Sequence, residues 1–208
     1  MRVEFLLPRP DRAGRYKVEL SDGTFMKLYP QTVADYGIYT GKELTPEEYN
    51  SLKQVAGQMS AKMRAVRIVA AGSVSEGDLE SRLRHKGESP EDARDAVAWM
   101  RELSLIDDLT TAKQLVRRGV AKGYGINRLR QMLYEKKIPR ELWDEALEDL
   151  PEPDDDIMSF LRQRLGAEWD NKEEKRAIDA LMRRGHTWGD IRRCLSRLGT
   201  SMEYEPEE

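Results

Sequence analysis

A chain of 208 residues, 39% hydrophobic and 35% charged, suits several small helical units better than one thick globule. A net charge of -3 excludes a broadly basic nucleic-acid binder, so contact with a polyanion has to come from a local patch. Cys194 is the one cysteine and the histidines number two, which excludes an internal disulfide and a cysteine-based metal site, and no cofactor is expected.

No apolar run approaches the roughly 18 residues of a membrane span, and MRVEFLLPRPDR is broken by proline too early for a secretory signal. The expectation is a cytoplasmic protein without a membrane segment. In chain order, residues 1–45 read as a small antiparallel β unit. Val3, Phe5 and Leu7 form one strand; Tyr16, Val18 and Leu20 alternate with charges in a second; Asp22-Gly23 makes the turn, and Phe25, Met26 and Leu28 return. So small a sheet needs a helix to rest on. Thr45-Pro46-Glu47-Glu48 is a capping-box start for a connecting helix over 46–72, running from about Pro46 to Ala70 and loosened at Gly57.

From Ser73 the pattern is helical and repeats. LRHKGESPEDARDAVAWM from Leu83, LYEKKIPRELWDEALEDL from Leu133 and LMRRGHTWGDIRRCLSRL from Leu181 share one apolar skeleton. Gly87, Lys137 and Gly185 stand at the turn; Ala93, Trp143 and Ile191, then Val97, Leu147 and Leu195, then Met100, Leu150 and Leu198 line one buried helix face. Ser89-Pro90, Pro139, and Thr187 with Asp190 supply the helix starts. The period of about fifty residues leaves room for a third helix after each pair, Asp107 to Lys122 and Asp154 to about Leu165, each capped by aspartate. The fold expected is mainly α: tandem three-helix repeats over 73–122 and 123–169, a truncated repeat over 170–200, and an acidic disordered tail over 201–208.

Helical arrays work mostly as binding surfaces. Cations concentrate at Lys113, Arg117, Arg118 and Lys122, with Arg128 just beyond, and again at Arg183, Arg184, Arg192, Arg193 and Arg197. Any one of them is ordinary solvated surface; as groups on an acidic chain they offer attraction to phosphates or an acidic protein face. Cys194 with His186 as base is a weak nucleophile candidate, because Ala96 and Ala146 fill the equivalent repeat positions and the site wants a small packing residue. Asp107-Asp108 and Asp154-Asp155-Asp156 are explained by capping before metal binding. Trp188, at a helix start beside the basic cluster, is the tryptophan best placed for a ligand, and KGYGINR reads as a break between helices.

Three stretches together resemble the RecX regulatory proteins, modulators of the RecA recombinase. They are Ala70 to Leu79 (AAGSVSEGDL) with Leu83 and Lys86-Gly87; Ile106-Asp107-Asp108 followed by Ala112; and Gly125 through Leu129 and Leu133 to Ile138. Thr111, where an aromatic is usual, and Lys137, where glycine is usual, depart from the pattern at packing and turn positions. The resemblance implies a non-enzymatic, monomeric regulator lying in the groove of the RecA–DNA filament beside single-stranded DNA, inhibiting ATP hydrolysis and strand exchange and favouring disassembly. On that reading the ten cations named above face the filament. The rival is a helix-turn-helix regulator acting on DNA without RecA, with the Arg192/Arg193 helix in a groove. A plain repeat scaffold leaves the β unit unexplained, and an enzyme comes last, for want of a nucleophile, base and charge stabiliser in one place.

Overall fold

Alternation and turn chemistry give the sheet its register. In the computed structural model, which describes residues 1–166 and 169–199, strands β1 (Val3–Leu6), β2 (Tyr16–Leu20) and β3 (Phe25–Leu28) form an antiparallel sheet in that order. Asp22 Oδ1 accepts from the Thr24 amide at 3.0 Å, and Gly23 takes φ +80°, the left-handed conformation that glycine adopts without a Cβ penalty. Val3, Val18, Leu20 and Leu28 are buried on one face. They pack with Ile38, Leu44 and Leu52. A short helix that the sequence did not announce, α1 (Pro30–Asp35), follows β3.

Helix α2 spans Pro46–Ala70. Thr45 Oγ1 accepts from the Glu48 amide while the Glu48 carboxylate accepts from the Thr45 amide, the reciprocal box that the sequence spelled out. The expected loosening at Gly57 is absent. A Cβ there would lie 2.7 Å from Asp92 Oδ2, so glycine at this position admits a neighbouring helix start rather than bending its own helix. That neighbour is α4 (Pro90–Glu102), capped by Ser89 and preceded by α3 (Glu76–His85), capped by Ser75. Ala61 and Ala65 of α2 join Leu79, Leu83, Ala93, Ala96, Val97 and Met100 in one core. Each fully buried leucine contributes about 1.5–3 kcal/mol.

The chain divides into two compact units, Met1–Ile106 and Asp107–Glu208. In the second, α5 (Asp108–Val120), α6 (Ile126–Glu135), a 3-10 turn over Arg140–Leu142 and α7 (Trp143–Leu147) enclose Ala112, Val116, Leu129, Leu133, Ile138 and Ala146. Then α8 (Asp154–Arg164), α9 (Asn171–Arg183) and α10 (Trp188–Arg197) enclose Ile157, Leu161, Ile178, Leu181, Ile191 and Leu195. The expected acidic tail over 201–208 lies outside the described residues.

The repeats therefore run in a different phase from the one expected. Asp107 to Lys122 was placed as the last helix of a unit beginning at Ser73, whereas α5 packs forward onto α6 and α7. Gly119 shows why: a Cβ there would lie 2.3 Å from Leu129 Cδ2, so α5 and α6 meet closely enough that a larger residue would have to displace the buried Leu129 side chain. By the same shift α8 heads the last unit, which has all three helices, and the C-terminal half of α2 supplies the first helix of the first unit. An apolar stripe records that a helix has a partner, not whether the partner precedes or follows it.

The same turn links the second and third helices of each unit. Gly87, Lys137 and Gly185 have φ of +90°, +53° and +87°. Their amides donate to the carbonyls of Arg84, Tyr134 and Met182, and the next amides, of Glu88, Ile138 and His186, donate to Leu83, Leu133 and Leu181. These are paired Schellman bonds with a left-handed residue at the same step in each unit.

Candidate basic interface

The candidate cations within Asp107–Glu208 start from ordinary helix chemistry. Basic residues in last turns complement the negative end of the helix dipole, which explains Arg117 and Arg118 in α5, Arg183 in α9 and Arg197 in α10. Packing then sorts them.

A seam joins the α5–α6 turn to the α9–α10 turn. The Gly125 amide donates to the Arg184 carbonyl and the Asn127 amide to the Gly185 carbonyl, each at 3.0 Å. A Cβ on Gly125 would lie 2.3 Å from the His186 nitrogen, and one on Gly185 would lie 2.3 Å from the Arg128 nitrogen. Both glycines are thus demanded by backbone on backbone. His186, 3% exposed, donates from Nε2 to the Gly123 carbonyl at 3.1 Å, which leaves Nδ1 as the unprotonated nitrogen, without a hydrogen-bond partner among the described residues. Burial first of all pushes the His186 imidazole below its ordinary pKa and keeps it neutral. KGYGINR is the break between helices that was expected, and it is also half of this seam.

The seam sets Arg128 against the Gly185 turn and Arg184 over Gly123. The Arg184 guanidinium lies 4.7 Å from the Phe160 ring centroid, a cation–π contact. Arg128 pairs with Glu135 at 3.3 Å, and Lys113 with Glu145 at 2.9 Å, whose carboxylate raises the lysine pKa. Arg193 and Arg197 both converge on Asp154 at 2.5 Å, and Arg193 also reaches Asp190 at 2.9 Å. Hydrogen bonding from Arg193 holds the Asp154 carboxyl below the usual carboxylate range, and the arginine is raised in turn. Among the described residues, Arg117, Lys122, Arg183 and Arg192 are exposed and carry no ion pair, and Arg118 has only a 3.4 Å bond to Gln114. So the ten cations form no single cluster: four lie free, and the Arg193/Arg197 pair is spent on an internal acid.

Asp154 also corrects the expectation of a capped α8. Pro153 occupies the N-cap position with no side-chain cap bond, and Asp154 is taken by the two arginines. Asp107 does cap α5, accepting from the Leu109 and Thr110 amides at 2.9 and 3.2 Å. Among the described residues no three His, Cys, Asp or Glu side chains gather as a metal site. Cys194 is fully buried, its Sγ 3.8 Å from the Asp154 carbonyl, and burial pushes the thiol pKa up, away from a nucleophilic thiolate. Trp188 packs against the last core rather than standing out toward a ligand. No helix among the described residues is long and apolar enough to cross a membrane.

Residues 107–147, the α5–α7 unit, match the family model for the second three-helix domain of RecX. The regulatory protein RecX of Vibrio campbellii is 30% identical over 152 residues, covering 69% of this chain and 95% of the relative. The chain belongs to the RecX family of regulatory proteins. The RecX of Clostridioides difficile is 25% identical over 197 residues, 92% of each chain, so the likeness reaches into the N-terminal β unit. A crystal structure of a regulatory protein RecX superposes with a TM-score of 0.65 at 18% identity over 94% of this chain and 98% of that one, which supports the fold. That of RecX from Lactobacillus salivarius gives 0.61 at 15% identity over 70% of this chain and 98% of that one. The stretches that carried the resemblance have structural work in this RecX chain: Ser75 and Asp107 are N-caps, Ala112, Leu129 and Leu133 are core, and Gly125 is the seam.

Proposed function

We propose that this RecX protein is a non-enzymatic regulator, acting in the cytoplasm as a monomer, that binds along the groove of the RecA–DNA filament. There it inhibits the recombinase's ATP hydrolysis and promotes disassembly. Family membership supports the regulatory role, and the observation that carries the contact surface is the set of uncompensated cations, Arg117, Lys122, Arg183 and Arg192, on a chain of net charge -3. A phosphate or acidic protein face gains most from cations that have no internal partner to abandon. Lys113, Arg118, Arg128, Arg184, Arg193 and Arg197, each already engaged within the chain, would join the contact only by exchanging those partners. Several weak contacts from successive three-helix units add up along a filament without any one being tight.

The helix-turn-helix alternative needs α10 to present its arginines to a DNA groove. Arg193 and Arg197 of that helix are instead bound to Asp154, which weakens that reading. The test is steady-state ATP hydrolysis by the source organism's RecA on single-stranded DNA, comparing the parent with an Arg117→Glu/Lys122→Glu/Arg183→Glu/Arg192→Glu variant of unchanged circular dichroism and melting temperature. Loss of inhibition and of filament co-sedimentation is expected. Full inhibition by the folded variant would remove these cations from the interface, and sequence-specific duplex binding without RecA would restore the alternative.

A further inference from the structure

The outer face of the N-terminal sheet is built unlike the outside of a structural sheet. The inner face is spent on the core, with Val3, Val18, Leu20 and Leu28 buried. On the other face the register pairs Phe5 with Glu19 and Glu19 with Phe25, so a row of Phe5, Glu19 and Phe25 crosses all three strands. Phe5 is 48% exposed and Phe25 52%. The next outward row pairs Lys17 directly with Lys27. Like charges directly opposite on a sheet are destabilising, and among the described residues no carboxylate pairs with either. Lys17 Nζ instead rests 3.6 Å from the Phe25 ring centroid. The Lys17–Phe25 contact accounts for one ring and one lysine; folding of the sheet leaves the half-exposed Phe5, and Lys27 set opposite Lys17, unexplained.

We propose that this face binds single-stranded nucleic acid directly, without the recombinase. Two rings about 10 Å apart, two strand spacings, give bases flat surfaces to stack on, and stacking tolerates any base because every base has a π-face. The Lys17–Lys27 pair takes the accompanying phosphate, which relieves the repulsion between the two ammonium groups. Glu19, between the rings, repels phosphate from that row and accepts from base amino and imino groups, so backbone and bases are directed to separate rows. Charge agrees: residues 1–30 carry six cations, Arg2, Arg9, Arg12, Arg15, Lys17 and Lys27, against four carboxylates, in a chain that is acidic overall. Duplex DNA, its bases stacked inside, offers the rings nothing.

The site is tested with the full chain and a fluorescein-labelled single-stranded oligonucleotide of about twenty nucleotides, long enough for several site sizes of this kind, read by anisotropy with no recombinase present. Phe5→Ala/Phe25→Ala is expected to weaken binding at least tenfold, and more than it weakens any duplex binding. Lys17→Ala/Lys27→Ala is expected to flatten the salt dependence by about one phosphate contact. Amide chemical-shift mapping of the unmutated protein should place the oligonucleotide on β1–β3, which keeps the test open if a variant misfolds. An unmutated chain that does not bind, shifts confined to other elements, or folded variants that bind as tightly as the parent would each overturn the site. Variants that hold the oligonucleotide but lose the RecA filament would also overturn it, making the face a protein contact. The filament reading is decided separately, by the ATP-hydrolysis variants.

Discussion

Lys137 stands in the left-handed region at φ +53°, where Gly87 and Gly185 occupy the same step of the other two units. A side chain in that conformation costs about 1–2 kcal/mol from the clash of its Cβ with the following carbonyl. Lys137 is exposed and, among the described residues, makes no hydrogen bond or ion pair through its side chain, so Lys137→Gly removes strain and no such contact. The greater backbone freedom of unfolded glycine offsets about 0.5–1 kcal/mol of the gain. The net expectation is a stabilisation of about 0.5–1 kcal/mol, or about 2–6 °C in the melting temperature of a unit of about a hundred residues. Urea and calorimetric unfolding of Lys137→Gly should show this in the transition of the second unit. Gly87→Ala is the mirror experiment: φ is +90° with open space around the Cβ position, so the substitution should cost about 1 kcal/mol in the first unit. A Lys137→Gly variant that is unchanged or less stable, beside a neutral Gly87→Ala, would refute the shared strained turn.

The seam predicts that Gly125→Ala, which drives a Cβ to 2.3 Å from the His186 nitrogen, destabilises the second unit by about 1–3 kcal/mol in urea unfolding, while Gly14→Ala, with open space around it, has no clash to pay for beyond its own backbone strain. His186 predicts a pH dependence: its folded pKa lies below the ordinary imidazole value, so its contribution is complete above about pH 6.5 and is lost as pH falls through the folded pKa. Melting temperatures taken from pH 7.5 to 5 should therefore decline, and His186→Gln should flatten that part of the curve; the carboxylates held low, Asp11 at about 2 and Asp107, titrate in a more acidic window. Asp154→Asn should free Arg197, leave Arg193 only its pair with Asp190, and strengthen co-sedimentation with a RecA filament at low salt, an effect that 0.5 M salt should largely erase.

Legibility in the sequence followed the range of the interactions. The capping box at Thr45, the caps at Ser89, Thr187 and Asp107, and the turn at Asp22-Gly23 each depend on residues within three positions of one another, and each was read correctly. The apolar skeleton was plain in the first and last copies, where one helix face carries Ala93 and Val97, or Ile191 and Leu195; in the second, α7 ends at Leu147, so Leu150 falls beyond it and Trp143, Leu147 and Leu150 are only partly buried. The phase of the repeats was not, since the decisive contacts, Gly119 on Leu129 and Gly57 on Asp92, join different helices and look in sequence like helix-weakening glycines. The pairing inside the basic set was hidden for the same reason: Arg193 and Arg197 meet Asp154 across about forty positions, a partnership that local charge counts miss and that makes a supposed cap a counter-ion.

Those long-range pairings bear on how an acidic protein can present itself to a polyanion. Were all its arginines free, contact would be governed by diffuse attraction, with little to distinguish a filament from bare DNA. Tying Arg193 and Arg197 to Asp154, Lys113 to Glu145 and Arg128 to Glu135 removes most of that attraction and leaves a few cations at set positions on rigid helices. Each internal pair also acts as a gate, because a phosphate must outcompete an existing carboxylate to recruit that arginine. On the proposed filament reading, arrangement rather than total charge would then select the partner, as a regulator of one assembly among abundant nucleic acid requires.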